Sequence, residues 1–208
     1  MIQERFNAGL FVVAGLLAAS GCGMMGASQV QPPSVRPAAA AAAAVSALDA
    51  NGDGRLDEAE LAACPSLAVV AARWDTDQDK ALSQAEVEAG LTEMMGAGVG
   101  LVGVSCRVTR NGKPVPNVEV RFIPEDFLGG SVKAASGTTD ADGVAEVAIP
   151  PVDRPADQQD LALMQVGLYR VEVTGPGVSP PAKPLGWAVD PTDRGGMNPR
   201  FDLAKDGR

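Results

Sequence analysis

The chain has 208 residues, and its 26 acidic residues against 17 Lys and Arg give a formal net charge of −9. It contains no histidine, which excludes Ser–His–Asp and Cys–His catalytic systems and zinc sites that need a histidine ligand. With this negative charge and only 4% aromatic residues, the chain lacks the basic face and the stacking surface that nucleic-acid binding requires.

The chain begins with the pattern of an export signal. An apolar run over residues 8–19 is too short to span a bilayer as a helix, and small residues follow it directly. The segment Ala19-Ser20-Gly21-Cys22 resembles the bacterial lipobox, whose cysteine is lipidated and becomes the mature N-terminus. The resemblance implies a lipoprotein signal peptide over residues 1–21 and a lipid anchor at Cys22. It also implies a cell-envelope location, with the outer membrane favoured because Gly23 follows the cysteine. A plain signal peptide or an uncleaved anchor is the alternative.

Residues 22–37 are small and polar and contain prolines, so they are predicted to form a flexible tether. Seven alanines, residues 38–44, follow Pro37. They predict a helix from about residue 40, because alanine is the strongest helix former and proline is tolerated in a first turn. A low-complexity linker is the alternative for the alanine run.

Nearly all of the excess negative charge lies in two similar segments. Residues 45–95 contain eleven acidic and three basic residues, a net charge of −8. Each segment has oxygen-bearing side chains at positions 1, 3, 5, 9 and 12 and a residue at position 7 that can offer its backbone carbonyl. In that order with position 7 included, the residues are Asp49, Asn51, Asp53, Arg55, Asp57 and Glu60, then Asp75, Asp77, Asp79, Ala81, Ser83 and Glu86. This spacing resembles the EF-hand calcium loop and implies calcium as the ligand.

The two loops differ at position 6, where the backbone of an EF-hand loop turns sharply. The first loop has Gly54 there and the second has Lys80. A residue other than glycine adopts the left-handed conformation at a cost of about 1–2 kcal/mol. The second loop is therefore predicted to bind calcium more weakly. Leu56 and Leu82 at position 8 are expected to join the loops in a short β-bridge.

Helices are predicted over residues 58–64, 66–74 and 84–95, which together with the loops form an EF-hand pair over residues 38–97. Beyond a glycine-rich hinge, the apolar pattern changes from a helical period to alternation. Strands are predicted over residues 102–108, 118–122, 144–149, 169–173, 185–189 and 200–203, with turns at 111–112 and 139–143. Asp140 and Asp142 are interpreted as turn residues and not as a third calcium site.

Short strands separated by proline and glycine predict a β-sandwich. The order of residues 104–108, 111–114, 116–124, 139–143 and 167–173 resembles the carboxypeptidase regulatory-like (transthyretin-like) domain, over about residues 100–205. This family is a non-catalytic sandwich, so the resemblance implies a structural or binding role and supplies no catalytic residue.

Two cysteines remain if Cys22 is lipidated. Cys64 and Cys106 are predicted either to form a disulfide in an oxidising compartment or to stay as buried thiols.

The sequence thus predicts an α+β protein of two domains, a small all-α EF-hand pair followed by an all-β transthyretin-like β-sandwich. The predicted function is that of a calcium-binding, lipid-anchored envelope protein without enzymatic activity. Its partners would be the membrane, through the anchor, and an unknown envelope or extracellular protein or polysaccharide, but no nucleic acid. Calcium is expected to be coupled to folding of residues 45–95 and not of the sandwich. The alternative is a calcium sensor that exposes an apolar groove to a protein target.

Overall fold

The computed structural model describes residues 30–179, 181, 183–193 and 197–203. The predicted signal peptide, Cys22 and residues 23–29 of the predicted tether lie outside these residues. Helices come first along the described chain and strands follow, so the chain is α+β, as the sequence predicts. No helix within the described ranges combines the length and the apolar character needed to cross a membrane.

The first part of the described chain contains four helices and two short strands. In chain order these are α1 (Pro37–Leu48), β1 (Arg55–Leu56), α2 (Glu58–Leu61), α3 (Pro65–Trp74), β2 (Leu82–Ser83) and α4 (Gln84–Gly96). The alanine run lies within α1, and its small side chains at Ala40, Ala41 and Ala44 are buried where α1 packs against α4. Proline occupies the first turn of α1 and of α3, where its missing N–H breaks no helical hydrogen bond.

The second part contains ten strands. They are β3 (Leu101–Val102), β4 (Val104–Arg110), β5 (Lys113–Pro114), β6 (Glu119–Pro124), β7 (Ala135–Thr138), β8 (Val144–Val147), β9 (Met164–Gln165), β10 (Gly167–Thr174), β11 (Leu185–Val189) and β12 (Arg200–Asp202). One antiparallel sheet has the order β11-β10-β6-β7. In the other, β4 pairs antiparallel with β5 and β8 and parallel with β12. Strands β3 and β9 form a separate pair.

An apolar core lies between the two larger sheets. Phe201 of β12 contacts the rings of Phe122 and Trp187, which belong to the other sheet. Side chains alternate along the strands as predicted, since Val104, Cys106 and Val108 of β4 are buried while the residues between them are partly exposed.

Both turns that the sequence predicts are present. Asn111 and Gly112 have φ values of 50° and 74°, the left-handed pair that a tight hairpin turn needs. In the second turn, Asp140 Oδ1 accepts hydrogen bonds from the backbone amides of Asp142 and Val144, both at 2.9 Å. The Asp140 carboxylate is therefore engaged within its own turn.

The helical part packs against β11 and β10, at one edge of the sheet with the order β11-β10-β6-β7. Helix α3 contacts β11 and β10, and the buried apolar residues of both parts form one contiguous cluster. A Cβ atom on Gly186 of β11 would lie 2.3 Å from the backbone nitrogen of Ser66, so glycine permits this approach. The two parts are thus joined by a packed interface in addition to the glycine-rich hinge.

The described part of the predicted tether is not free. Within residues 30–36, Pro33 is buried. A Cβ atom on Gly100 would lie 2.2 Å from the carbonyl oxygen of Val30. Part of the segment predicted as a tether over residues 22–37 therefore packs against the chain, at the hinge glycine Gly100.

Of the two alternatives for Cys64 and Cys106, the structure has the buried thiols and no disulfide between them. Both are buried free thiols, the first at the start of α3 and the second opposite Ala145 in the β4–β8 pair. Burial raises the pKa of each thiol to about 11. For Cys64, a hydrogen bond with Ser66 opposes this rise, and the charge of Glu125 adds to it. Both thiols are therefore protonated and unreactive at neutral pH.

Candidate metal centre

The two acidic loops lie side by side because β1 and β2 pair antiparallel. Arg55 is opposite Ser83, and Leu56 is opposite Leu82. Both leucines are fully buried. The predicted bridge at position 8 of the loops is confirmed, and it links the two loops through backbone hydrogen bonds and a shared apolar contact.

Position 1 of each loop organises the backbone that follows it. The carboxylate of Asp49 accepts hydrogen bonds from the amides of Gly52 and Gly54 at 2.6 and 2.8 Å. The carboxylate of Asp75 accepts the equivalent bond from the amide of Lys80 at 3.0 Å. These bonds curl the chain around the first carboxylate, so the side chains at positions 3 and 5 are brought towards it.

The same repetition holds at positions 3 and 5. The amide of Asp53 donates to Asn51 Oδ1 at 2.8 Å, and the amide of Asp79 donates to Asp77 Oδ1 at 3.2 Å. At position 5, Asp53 and Asp79 each accept a hydrogen bond at 2.9 Å from the amide two residues later. Two loops of different sequence therefore have the same internal hydrogen bonds at the same positions.

The backbone conformations of the loops also match. At position 4, Gly52 and Gln78 have φ values of 77° and 61°, and at position 6, Gly54 and Lys80 have φ values of 82° and 70°. Lys80 is thus in the left-handed conformation that the sequence predicts. At position 6, the left-handed conformation destabilises the second loop by about 1–2 kcal/mol and not the first, because the first loop has glycine there.

The glutamates at position 12 close the loops. Glu60 and Glu86 are both only 7% exposed. Glu60 accepts a hydrogen bond from the amide of Asp57, and Glu86 accepts bonds from the amides of Ser83 and Thr76, all between 2.8 and 3.0 Å. Partial burial by itself raises the pKa of Glu86, but the bonds from Ser83 and Thr76 outweigh it and lower the pKa to about 2. Glu86 is therefore ionised at neutral pH.

Position 9 has a second task in both loops, which is to cap the following helix. The carboxylate of Asp57 accepts hydrogen bonds from the amides of Ala59 and Glu60 at the start of α2. Ser83 accepts one from the amide of Glu86 at the start of α4. Each cap forms a reciprocal capping box with the glutamate three residues later. The capping box fixes the closing glutamate relative to its loop.

The second loop brings three carboxylates together. Oxygen atoms of Asp75, Asp77 and Glu86 all lie within 4.8 Å of one another. Calcium binds oxygen ligands at about 2.3–2.6 Å, so two ligands of one ion are at most about 5 Å apart. Among the described residues, the second loop is the one in which three acidic side chains are close enough to bind one ion. In the first loop, the residue at position 3 is Asn51, which has an uncharged side chain.

Asp79 is not part of this group, and its carboxylate pairs with the guanidinium of Arg55 in the other loop. The sequence predicts Arg55 only as a carbonyl ligand at position 7 of the first loop. The contact of Arg55 with the second loop depends on the antiparallel pairing of β1 with β2. This pairing places Arg55, at the start of β1, beside the second loop. A cation competing for Asp79 is a further reason to expect weaker calcium binding in the second loop.

Comparison with known proteins assigns no family. No family model matches the chain. One local likeness is 53% identity over 38 residues to the uncharacterized protein YlqB of Bacillus subtilis (strain 168). The match covers 18% of this chain and 24% of that protein, so the chain spans about a quarter of the length of the relative it matches.

Proposed function

We propose that this chain is a calcium-binding, lipid-anchored protein of the bacterial cell envelope. In this proposal the helical part is an EF-hand pair, and the β part is a transthyretin-like sandwich with a structural or binding, non-catalytic role. The observation that carries the calcium assignment is the duplication of the loop geometry. Two paired loops repeat one set of backbone-to-side-chain hydrogen bonds at positions 1, 3, 5 and 12.

The donor set of the loops fits calcium. The ligating side chains offer carboxylate, amide and hydroxyl oxygens, which suit a hard cation, and no thiol or imidazole is among them. Asp49, Asn51, Asp53 and Glu60 would hold the ion in the first loop, with the carbonyl of Arg55. Asp75, Asp77, Asp79 and Glu86 would hold it in the second, with the carbonyl of Ala81. Asp57 and Ser83 would act at position 9.

A structural role of calcium is favoured over a sensor role. A sensor opens its helices on binding calcium and exposes an apolar groove. Here α3 is packed against β11, and its Arg73 pairs with the buried Asp190. The Met94 side chain of α4, which could line such a groove, is 1% exposed. Opening the helices would therefore break contacts with the sheet as well as within the helical part.

Calcium titration of the full chain tests the function. Calorimetry with calcium chloride is expected to detect two binding events with dissociation constants up to the millimolar range, as for extracellular sites. Glu60→Gln and Glu86→Gln should each remove one event, because each takes away a closing carboxylate. Lys80→Gly should tighten the second event by up to about thirtyfold, which corresponds to relief of about 1–2 kcal/mol of left-handed strain.

The control for this titration is Glu93→Gln, which removes an exposed acid of α4 outside the loops and should leave both events unchanged. Absence of any binding heat up to millimolar calcium would refute the calcium assignment.

The lipid anchor is tested by metabolic labelling with a fatty-acid probe in a bacterial host. The native chain should take up the label and fractionate with membranes, because the Ala-Ser-Gly-Cys segment places Cys22 directly after a short apolar run. Cys22→Ala should lose both properties. Label and membrane association that persist in Cys22→Ala would rule out this anchor, and Cys64→Ala is the matched cysteine control.

A further inference from the structure

Helix α3 leads from the sheet interface directly into the second calcium loop. Its last residue is Trp74, and Asp75, the first ligand position, caps the helix with its amide bonded to the Ala71 carbonyl at 2.8 Å. Because no residue separates the helix from the ligand, any displacement of the last turn of α3 moves Asp75.

The last turn of α3 is held by a buried acid of the β part. The guanidinium of Arg73 pairs with Oδ2 of Asp190, the residue that follows β11. The Asp190 side chain is 2% exposed, and its Oδ1 accepts hydrogen bonds from the amide and the hydroxyl of Thr192, each at 2.8 Å. A buried carboxylate is tolerated when it is paired and hydrogen-bonded in this way. The Arg73–Asp190 contact therefore ties the partly exposed Arg73 to a buried acid, unlike an ion pair between two exposed side chains.

The first turn of α3 is held independently. Ser66 Oγ donates to Oε1 of Glu125 at 2.7 Å, and both residues are buried. The backbone of Ser66 also packs directly on Gly186 of β11. With both ends held on the sheet, α3 cannot slide or tilt freely, so the position of Asp75 is set by the β part.

We infer that Asp190 is a positioning residue for the second calcium loop, an inference that rests on the proposed calcium-binding function. Two physical effects act in the same direction. Holding the end of α3 removes conformational freedom that calcium binding otherwise has to remove from Asp75. Pairing with Arg73 also neutralises a positive charge two residues from the first ligand, where it would repel the ion. Asp190 therefore favours calcium in the second loop.

The effect is selective for one loop. The first loop follows α1, whose end has no contact of this kind with Asp190, and its first ligand is Asp49. By thermodynamic reciprocity, calcium in the second loop must in turn strengthen the Arg73–Asp190 contact and order the end of β11.

The test uses the full chain, in which calcium binding by one loop at a time is removed by a substitution. Glu60→Gln isolates the second loop, and Glu86→Gln isolates the first. Asp190→Asn, which keeps the shape of the side chain, is introduced into each background, and calcium chloride is titrated by calorimetry. We expect the calcium dissociation constant of the second loop to rise by about fivefold or more, within the usual range of coupling between sites. The first loop should be unaffected.

Matched variants separate positioning from loss of stability. Glu146→Gln removes the same charge from an exposed position of β8 and should change neither loop. Arg73→Gln should also weaken the second loop, but less than Asp190→Asn, because it releases the end of α3 and at the same time removes the positive charge near Asp75. Arg73→Lys should recover part of the affinity because it keeps a cation that can pair with Asp190. Arg73 is 39% exposed, so these variants keep the test valid if Asp190→Asn does not fold.

Hydrogen exchange tests the reciprocal effect, which is that of calcium on the Arg73–Asp190 contact. In the native chain, calcium should slow exchange at the amide of Thr192, which donates to Asp190, and the effect should vanish in Asp190→Asn.

Unchanged calcium affinity of the second loop in both Asp190→Asn and Arg73→Gln would overturn the inference and leave the calcium function intact. Equal weakening of both loops would also overturn it, since that result indicates general destabilisation. A native chain that binds no calcium would instead refute the proposed function itself.

Discussion

Chelation of calcium is expected to lower the melting temperature of the whole chain in one transition. Without a cation, the carboxylates of Asp75, Asp77 and Glu86 lie within 4.8 Å of one another, and a bound calcium ion would offset their mutual repulsion. A site filled at one hundred times its dissociation constant stabilises the folded state by about 2.7 kcal/mol. For a chain of this size, each kcal/mol corresponds to roughly 2–4 °C.

The single transition follows from the interface between the two parts. Their buried apolar residues form one cluster, and α3 contacts both the loops and the sheet. Loss of calcium from the second loop therefore loosens a helix that covers β11. The sequence alone predicts a different result, in which chelation affects residues 45–95 and leaves the sandwich unchanged.

Differential scanning calorimetry in millimolar calcium and in excess EGTA measures this shift. Far-UV circular dichroism at helical and β-sheet wavelengths should give coincident midpoints under both conditions. The Glu86→Gln chain is the control, and its shift on chelation should be about half that of the native chain. Two separate transitions, of which EGTA moves only the first, would contradict the prediction and restore the two-domain expectation.

The geometry of the two acidic loops could be predicted from sequence because it is local. Each loop comprises twelve consecutive residues, and the bonds that shape it lie within this stretch, for example five positions between the Gly54 amide and Asp49 and ten between the Thr76 amide and Glu86. The turn at Asn111-Gly112 is local for the same reason. Predicted strand ends were off by about two residues, since pairing between β4 and β5 extends β4 to Arg110.

The features that sequence reasoning missed depend on distant contacts. Strand β7 (Ala135–Thr138) has no apolar alternation, and it is a strand because it pairs with β6, while Gly137 permits close approach to the backbone of Glu146. Arg73 and Asp190 are 117 positions apart, and nothing in either neighbourhood indicates the pairing. The interface that joins α3 to the sheet could therefore be found only in the folded structure.

Substitution of Gly186 by alanine should weaken the contact between the helical part and the sheet. A Cβ atom at this position would lie 2.3 Å from the nitrogen of Ser66 and 2.7 Å from the carbonyl carbon of Pro65. Both are backbone atoms, so no side-chain rotation relieves the overlap and α3 has to move away from β11. Overpacking of this kind costs about 1–3 kcal/mol. Gly186 lies outside the left-handed region, so backbone strain does not contribute to this cost.

The Gly186→Ala chain is compared with Gly130→Ala, because a Cβ atom on Gly130 would meet no atom within 4 Å. Thermal denaturation in calcium should give a lower midpoint for Gly186→Ala and an unchanged midpoint for Gly130→Ala. Displacement of α3 should also move Asp75, so calorimetry should detect weaker calcium binding in the second loop and not in the first. A Gly186→Ala chain with native stability and native affinity in both loops would contradict direct packing of α3 on β11. With lost stability but unchanged affinity, α3 would support the core without setting the geometry of the second loop.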